Sequence, residues 1–401
     1  LKLPLASFKL KNFKAVRDSK VIKFTPLTVF IGNNGSGKSS IIEGLQTYQS
    51  ILTQGLDEAM IQWRGFENIR NAAVPHKPQI KDSGKNYLTN PVEFQFRGNV
   101  GFQHEGDSWH ETAAFDMSIT TTPSGDQLFI QRETFKAGDR QRVVRDKEGH
   151  TEFEDDNLDL LKANFPDGLS LISALRTSLD AYRNVYNFVA DWQFVLLNPV
   201  MMGNPKPQRR TGNTVRLAYD GSNIAEFLLD IRQQSLEAFE GIIETLQYVL
   251  PYARDIQPTL TSEIERSVYL QLAEENFKIP GWLLSTGTLR VLALLALFRH
   301  PSPPPLIIIE EIENGLDPRT IHLIVEELRN VIETGLTQVI ITTHSPYLLD
   351  LLALSQIVLV ERIDGQPTFF RPGDQVSLEE WAKSFGPGRL YTMNRLSSEA
   401  K

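Results

Sequence analysis

Apolar and polar residues alternate over residues 5–13, which predicts a strand, and residues 21–24 and 27–31 predict two more. Together they form an opening sheet that leads into a glycine-rich turn at residues 32–37 and a helix over 40–48. Residues 51–90 carry glycines, prolines and scattered charges and read as irregular. Extended patterns then follow at 92–100, 112–120, 127–135 and 142–145, with turns at Pro123-Ser124-Gly125 and Ala137-Gly138-Asp139. This is a β meander inserted after the first helix. Residues 155–165 and 168–175 read as helical with a break at Pro166, 181–196 is aromatic-rich, and 199–210 is a loop. A helical pattern through Ile224, Phe227, Leu228 and Ile231 starts after Asp220-Gly221-Ser222-Asn223, where a serine or asparagine is placed to cap it. Residues 236–250 continue helical up to Pro251. The last part alternates an apolar helix (291–298), a buried strand (306–309), a helix (319–332), strands at 338–343, 357–361 and 368–371, and a short helix at 378–382. No sustained heptads, internal repeats or low-complexity tracts occur.

The turn after the third strand is Gly32-Asn33-Asn34-Gly35-Ser36-Gly37-Lys38-Ser39, a full P-loop pattern in the strand–turn–helix context it requires. Its glycines let backbone N–H groups close around phosphate oxygens, and the helix N-terminus adds its positive end. Asn33, Asn34, Gly35, Ser36, Gly37, Lys38, Ser39 and Ser40 are the expected ATP contacts. Lys38 is expected to reach the β- and γ-phosphates and Ser39 to ligate Mg²⁺. Between the first two strands, Asn12-Phe13-Lys14 offers either an adenine contact or a core phenylalanine. Trp63-Arg64-Gly65-Phe66 reads as a loop near the nucleotide or as a packed turn.

A second cluster lies far downstream. Leu284-Ser285-Thr286-Gly287-Thr288-Leu289-Arg290 is a small-residue turn entering an apolar helix, where backbone amides suit an anion. The strand at 306–309 ends in Glu310-Glu311, and paired carboxylates there are costly to bury without ions or donors. A Mg²⁺ ion and an attacking water meet that need: Glu310 for the metal shell, Glu311 for the water. Asn314-Gly315-Leu316-Asp317-Pro318 makes a tight turn, and the strand at 338–343 ends in His344, placed for the γ-phosphate or the water.

Bulk composition narrows the class. At 401 residues the chain suggests a main domain with a substantial second lobe. With no cysteine it has no disulfide, zinc–thiolate site or cysteine nucleophile, and a cytoplasmic location is expected. No apolar run reaches the length of a spanning helix, and residues 1–20 lack a signal-peptide core, so no membrane partner is expected. The net charge of -8 argues against generic coating of nucleic acid but not against a local basic face. Arg132, Lys136, Arg140, Arg142, Arg145 and Lys147, with Glu133, Asp139, Asp146 and Glu148 among them, read either as a mixed solvated surface or as such a face.

Taken together, these segments resemble the ABC-type ATPase heads of the RecF, SMC and OLD-like group, closest to the AAA-21 and AAA-15 predicted ATPases. Lys11 to Lys14 resembles that group's opening strand and Gly32 to Ser39 its Walker A motif. Leu284 to Arg290 resembles a variant signature motif, with Thr286 and Thr288 where transport ATPases more often have glycine and glutamine. Leu306 to Glu311 resembles Walker B with Glu310 in place of aspartate, Asn314 to Pro318 the D-loop, and His344 the switch histidine. Asp220 to Asn223 also resembles a stretch of this group. The fold implied is α/β: a P-loop NTPase of ABC-ATPase type, a mixed sheet core with an inserted β meander and a helical lobe. Residues 1–60 and 281–371 would form the nucleotide-binding core, 61–150 the β-rich insertion, 151–280 the helical lobe and 372–401 an extension.

The resemblance also implies a mechanism. Two heads would dimerise head to tail around two ATP molecules, with Ser285 and Gly287 of one reaching the γ-phosphate held by Lys38 of the other and Asp317 lying across the same interface. ATP would close the dimer and hydrolysis, through Glu311, His344 and Lys38, would open it. Candidate partners are duplex DNA and a separate nuclease or toxin effector, in genome maintenance or anti-phage defence. The alternative from another class is a nucleotide-dependent scaffold with negligible turnover; a transporter motor lacks a feature calling for a membrane partner. Long coiled coils of the SMC kind are missing from the pattern, and the residues after Ile357 are too few for an OLD-type nuclease domain. The metal-sensing glutamine has two candidates, Gln62 and Gln193.

Overall fold

The computed structural model describes residues 3–80, 86–104, 107–138, 140–146, 149–154, 159–209, 215–261, 266–274 and 277–396. The chain divides into two compact units. One takes the residues up to Pro26, Phe30–Trp192 and Val358–Arg371; the other takes Leu27–Val29, Gln193–Ile357 and the residues from Pro372 onward.

The first unit is built on a nine-stranded antiparallel sheet. Strand Ser7–Phe13 pairs with Val16–Asp18, with Ile22–Lys23 and with the long strand Val92–His104. From there the meander runs through Asp107–Thr121, Leu128–Ala137, Arg140–Arg145, Thr151–Glu154 and Leu160–Lys162. Register aligns an aromatic row across it: Phe96 faces Phe115, and Phe115 faces Phe135. Their rings stack at centroid distances of 4.3 and 4.9 Å. Cross-strand aromatic pairs of this kind stabilise a sheet beyond the area they bury. Tyr48 of helix Lys38–Gln54 meets Phe96 edge-on at 4.9 Å, and Tyr182 of helix Asp180–Ala190 closes the row on Phe135.

Some expected elements differ. The first helix runs on to Gln54, and a second helix, Leu56–Gln62, follows in the stretch expected to be irregular. Its Leu56, Ala59 and Met60 are buried, a helical spacing too short to stand out among the glycines around it. Leu160–Lys162, expected within a helix, is an exposed strand paired with Thr151–Glu154; Asp155 lies outside the described residues. Within the expected loop at 199–210, Pro199–Met202 is helical and Lys206–Pro207 is a strand.

The second unit holds the parallel strands Gln193–Val195, Leu306–Ile309 and Gln338–Thr343, side by side in that order, with Leu27–Val29 next to the last of them. Every residue of Leu306–Ile309 and Gln338–Thr343 is buried, as parallel strands covered on both faces must be. Helix Pro318–Glu333 makes the crossover between those two strands. Helix Thr286–Phe298 is apolar all round and buried from Thr288 to Phe298 except Arg290. Helices Ile224–Gln234 and Leu236–Val249 are consecutive, the second capped by the Ser235 hydroxyl. Asp255–Leu260, Ser267–Ala273, Lys278–Pro280 and Lys206–Pro207 add a small antiparallel sheet. The result is the expected mixed α/β fold: a multi-strand core, an inserted β-rich region and a helical lobe. Among the described residues no helix is long and apolar enough to cross a membrane.

Candidate functional site

The P-loop lies in the first unit, at the start of helix Lys38–Gln54. Gly35 and Gly37 take φ of 74° and 112°, the left-handed region that glycine enters without strain. Gly32 is required for a different reason: a Cβ there would lie 2.1 Å from the Val360 carbonyl oxygen, and one on Gly37 would lie 2.7 Å from Pro367 Cγ. The hairpin Ile357–Ile363 and Gln366–Phe370 therefore backs the loop closely. Lys38 is buried, and its ammonium donates to the carbonyls of Gly32 at 2.7 Å and Asn33 at 3.1 Å. Such placement compensates a buried cation while keeping it at the turn.

Two observations test whether a polyphosphate suits this turn. The helix has no side-chain cap, because its N-cap is Gly37, so its first N–H groups have no side-chain acceptor. The Ser36 hydroxyl is buried with no hydrogen-bond partner. An anion accepting from amides and hydroxyl satisfies both, and the exposed Ser39 hydroxyl is available to a cation beside it. The residues fit a polyphosphate with a divalent cation such as Mg²⁺.

Phe13 is core, fully buried and edge-on to Phe94 at 6.1 Å. Lys14 instead places its ammonium 3.6 Å from the centre of the Trp63 ring and 2.8 Å from Glu43. Trp63 thus belongs to a packed turn, alongside buried Phe66.

The acidic cluster lies in the second unit. Glu310 is 9% exposed, its N–H donates to Val195 O at 2.9 Å, and its Oε1 accepts from the Tyr219 hydroxyl at 3.1 Å. Glu311 has φ 50°, unusual for a side-chain-bearing residue and a mark of constrained sites. Its N–H donates to Thr342 Oγ1 at 2.9 Å, and Asn314 Nδ2 donates to its Oε2. Its carboxylate is thus oriented by a neighbour three residues on.

The turn at Leu284–Arg290 and the tight turn at Asn314–Pro318 meet in the same unit. Ser285 is the N-cap of helix Thr286–Phe298, accepting from Thr288 N–H at 3.1 Å and lying 2.8 Å from Thr288 Oγ1. A Cβ on Gly287 would sit 3.0 Å from Gly315 O, and one on Gly315 would lie 3.6 Å from Arg290 Cδ. Burial pulls the Arg290 guanidinium below the usual arginine range, while the Glu311 and Glu313 carboxylates oppose that pull. Asp317 caps helix Pro318–Glu333, accepting from Arg319 N–H, Thr320 N–H and Thr320 Oγ1. His344 directly follows strand Gln338–Thr343, and its backbone N–H donates to Glu313 Oε1.

Several expectations need correction. Asn223 holds the N-cap position of its helix but makes no capping bond; its side chain binds Ala218 N–H and Arg216 O, tying down the preceding loop. Gln193 spends its amide on the carbonyls of Leu217 and Phe194, and Gln62 accepts from Ser50 Oγ. Both candidate metal-sensing glutamines are therefore engaged with their own chain. In the basic stretch, Arg145 is fully buried on the carbonyls of Pro166, Asp167 and Leu169. Arg140 and Arg142 are drawn towards Glu154, and Lys147 lies outside the described residues. Arg132 and Lys136 are exposed. Sequence reading missed Tyr219, which precedes the Asp220 turn, and Glu313, which lies between Glu311 and the Asn314 turn; Arg290 is the last residue of the segment Leu284–Arg290 already singled out.

The profile of the AAA_21 family, described as "AAA domain, putative AbiEii toxin, Type IV TA system", matches residues 27–350. No curated protein matches the chain significantly. Among solved structures, the SMC head bound to the C-winged helix domain of ScpA is 14% identical with a TM-score of 0.54, over 91% of this chain and 96% of that one. The SMC head with an extended coiled coil, bound to the C-terminal domain of ScpA and derived from Pyrococcus furiosus, is 13% identical with a TM-score of 0.51, over 95% and 99%. These likenesses concern the fold alone. The chain belongs to the AAA_21 family, an AAA-type ATPase domain that resembles the SMC- and RecF-like ABC-ATPase heads.

Proposed function

We propose that the protein is a Mg²⁺-dependent ATPase whose heads close on ATP as a head-to-tail homodimer and so gate a DNA or protein partner. One observation carries this reading. The turn at residues 32–39 combines a buried lysine amine, a helix start without a side-chain cap and a buried serine hydroxyl without a partner. Lys38 and the loop amides bind and orient the triphosphate. Ser39 and Glu310 would hold Mg²⁺, which would supply charge neutralisation at the phosphates. Glu311, oriented by Asn314, positions the hydrolytic water, and His344 contacts the γ-phosphate or that water. Ser285 and Gly287 of a second copy add donors that only the closed dimer makes, so binding energy is tied to closure. The family description names a putative toxin of a type IV system, which favours a defence role. Similar SMC heads were solved with ScpA domains bound, which supports a protein partner on a head of this fold.

The test is a pair of variants. Lys38→Ala should remove most nucleotide affinity in direct titration. Glu311→Gln should bind ATP as the parent does and hydrolyse it about 10²-fold more slowly or worse. Unchanged affinity in the first overturns the P-loop assignment; parental turnover in the second moves the catalytic role to Glu310.

A further inference from the structure

The turn Asp220-Gly221-Ser222-Asn223 has no part in the reading above, yet it is bound tightly beside the acidic strand end. Strand Gln193–Val195 lies along Leu306–Ile309, and the chain leaving it pairs with the turn: Leu196 N–H donates to Tyr219 O at 2.7 Å and Asn198 N–H to Asp220 O at 2.9 Å. Asn223 grips the other side through Ala218 N–H at 2.7 Å and Arg216 O at 2.9 Å. Gln193 Nε2 donates to Leu217 O at 2.8 Å. Gly221 turns with φ 74°, and a Cβ there would meet Leu197 Cδ2 at 2.9 Å. The backbone on both sides of Tyr219 is therefore immobilised, and its hydroxyl donates to Glu310 Oε1 at 3.1 Å.

That bond bears on the length of the Glu310 side chain. Glu310 stands where the resembling motif has aspartate, so its carboxylate swings on one additional rotatable bond. A side chain with more rotamers loses more entropy when it is held in one place. A phenol on a held backbone that donates to the carboxylate restricts that freedom before any cation binds, and a hydrogen bond to a charged acceptor is among the stronger ones. We propose that Tyr219 is a positioning residue for Glu310, set by the Asp220–Asn223 turn, and that it tunes how strongly Mg²⁺ supports ATP binding. The proposal rests on the reading of Glu310 as part of the metal shell. Partners that orient metal-site ligands commonly contribute about 10- to 100-fold to metal affinity.

The experiment titrates the full chain, carrying Glu311→Gln so that nucleotide persists, with a fluorescent ATP analogue in EDTA and over a range of Mg²⁺ concentrations. Tyr219→Phe should leave affinity in EDTA unchanged and raise the Mg²⁺ needed for half-maximal binding by roughly tenfold. Glu310→Asp withdraws the carboxylate from the hydroxyl, so adding Tyr219→Phe to it should change nothing further. If Mg²⁺ gives the protein with Tyr219 and Glu310 intact no gain in affinity, the metal-site reading itself fails. If that gain is present and Tyr219→Phe keeps all of it, the role of Tyr219 is overturned. Loss of affinity in EDTA, or effects of the two substitutions that simply add, overturns it as well.

Discussion

Oε1 of Glu313 accepts the backbone N–H of His344 at 2.5 Å. The bond links the segment after the Glu310-Glu311 pair to the end of strand Gln338–Thr343 and fixes where the histidine leaves it. The other carboxylate oxygen of Glu313 is buried without a hydrogen-bond partner. The Arg290 charge lies near enough to interact with both Glu311 and Glu313. Glu313→Ala should leave nucleotide affinity intact and lower kcat by roughly 10- to 100-fold, through misplacement of His344. Glu313→Gln keeps an acceptor for that amide and should retain more turnover than the alanine. Equal turnover in parent and alanine variant would remove Glu313 from the mechanism.

Assembly gives the second prediction. Ser285 is exposed, but its hydroxyl caps its own helix, so substitutions there act on the helix as well as on any interface. The Glu311→Gln protein should sediment as a dimer with ATP and Mg²⁺. Adding Ser285→Arg should block this by placing bulk and charge at the closing face. Ser285→Thr, which keeps a capping hydroxyl, should still dimerise. An unchanged sedimentation rate with ATP in the Glu311→Gln protein, or normal dimers with arginine, would sink the shared-site mechanism.

A third prediction concerns the meander. Arg145 is buried on three backbone carbonyls, and Glu133, also buried, is held by the Ser170 hydroxyl and Leu171 N–H. Burial raises the Glu133 carboxyl above its usual range, opposed first by the Arg145 charge. Arg145→Met leaves those carbonyls and the carboxyl uncompensated and should cost about 3–5 kcal/mol. Lysine should not restore it, since one ammonium cannot reproduce the planar fork. Thermal unfolding of the three proteins makes the comparison; a methionine variant as stable as the parent would contradict it.

Acid should reveal the Asp317 cap. The Thr320 hydroxyl, followed by the amides of Thr320 and Arg319, holds its carboxyl below the usual carboxylate value. A lowered folded pKa means that the fold favours the ionised form. The stability it contributes is complete above roughly pH 4 and is lost as pH falls through the folded value. The Tm gap between parent and Asp317→Ala should be constant from neutral pH down to about pH 5 and narrow in stronger acid. A gap that widens in acid would show the sign to be wrong.

What the sequence determined by itself is what neighbours along the chain decide. Gly35 and Gly37 announce their left-handed turn, and Leu306 to Ile309 its buried strand, because backbone sterics and short-range periodicity act within a few residues. Burial and pairing at long range followed other rules. Arg145 reads from the sequence as part of a surface, mixed or basic, because composition does not say which face of the sheet a strand residue takes. Asn223 had the chemistry of a cap, yet the loop at 216–218 passes close enough to take its amide. Tyr219 reaches Glu310 across 91 positions, and no local pattern marks such a pair. Only the packing of strand Gln193–Val195 against Leu306–Ile309 brings the two together, because a hydrogen bond depends on distance in space and not on separation along the chain.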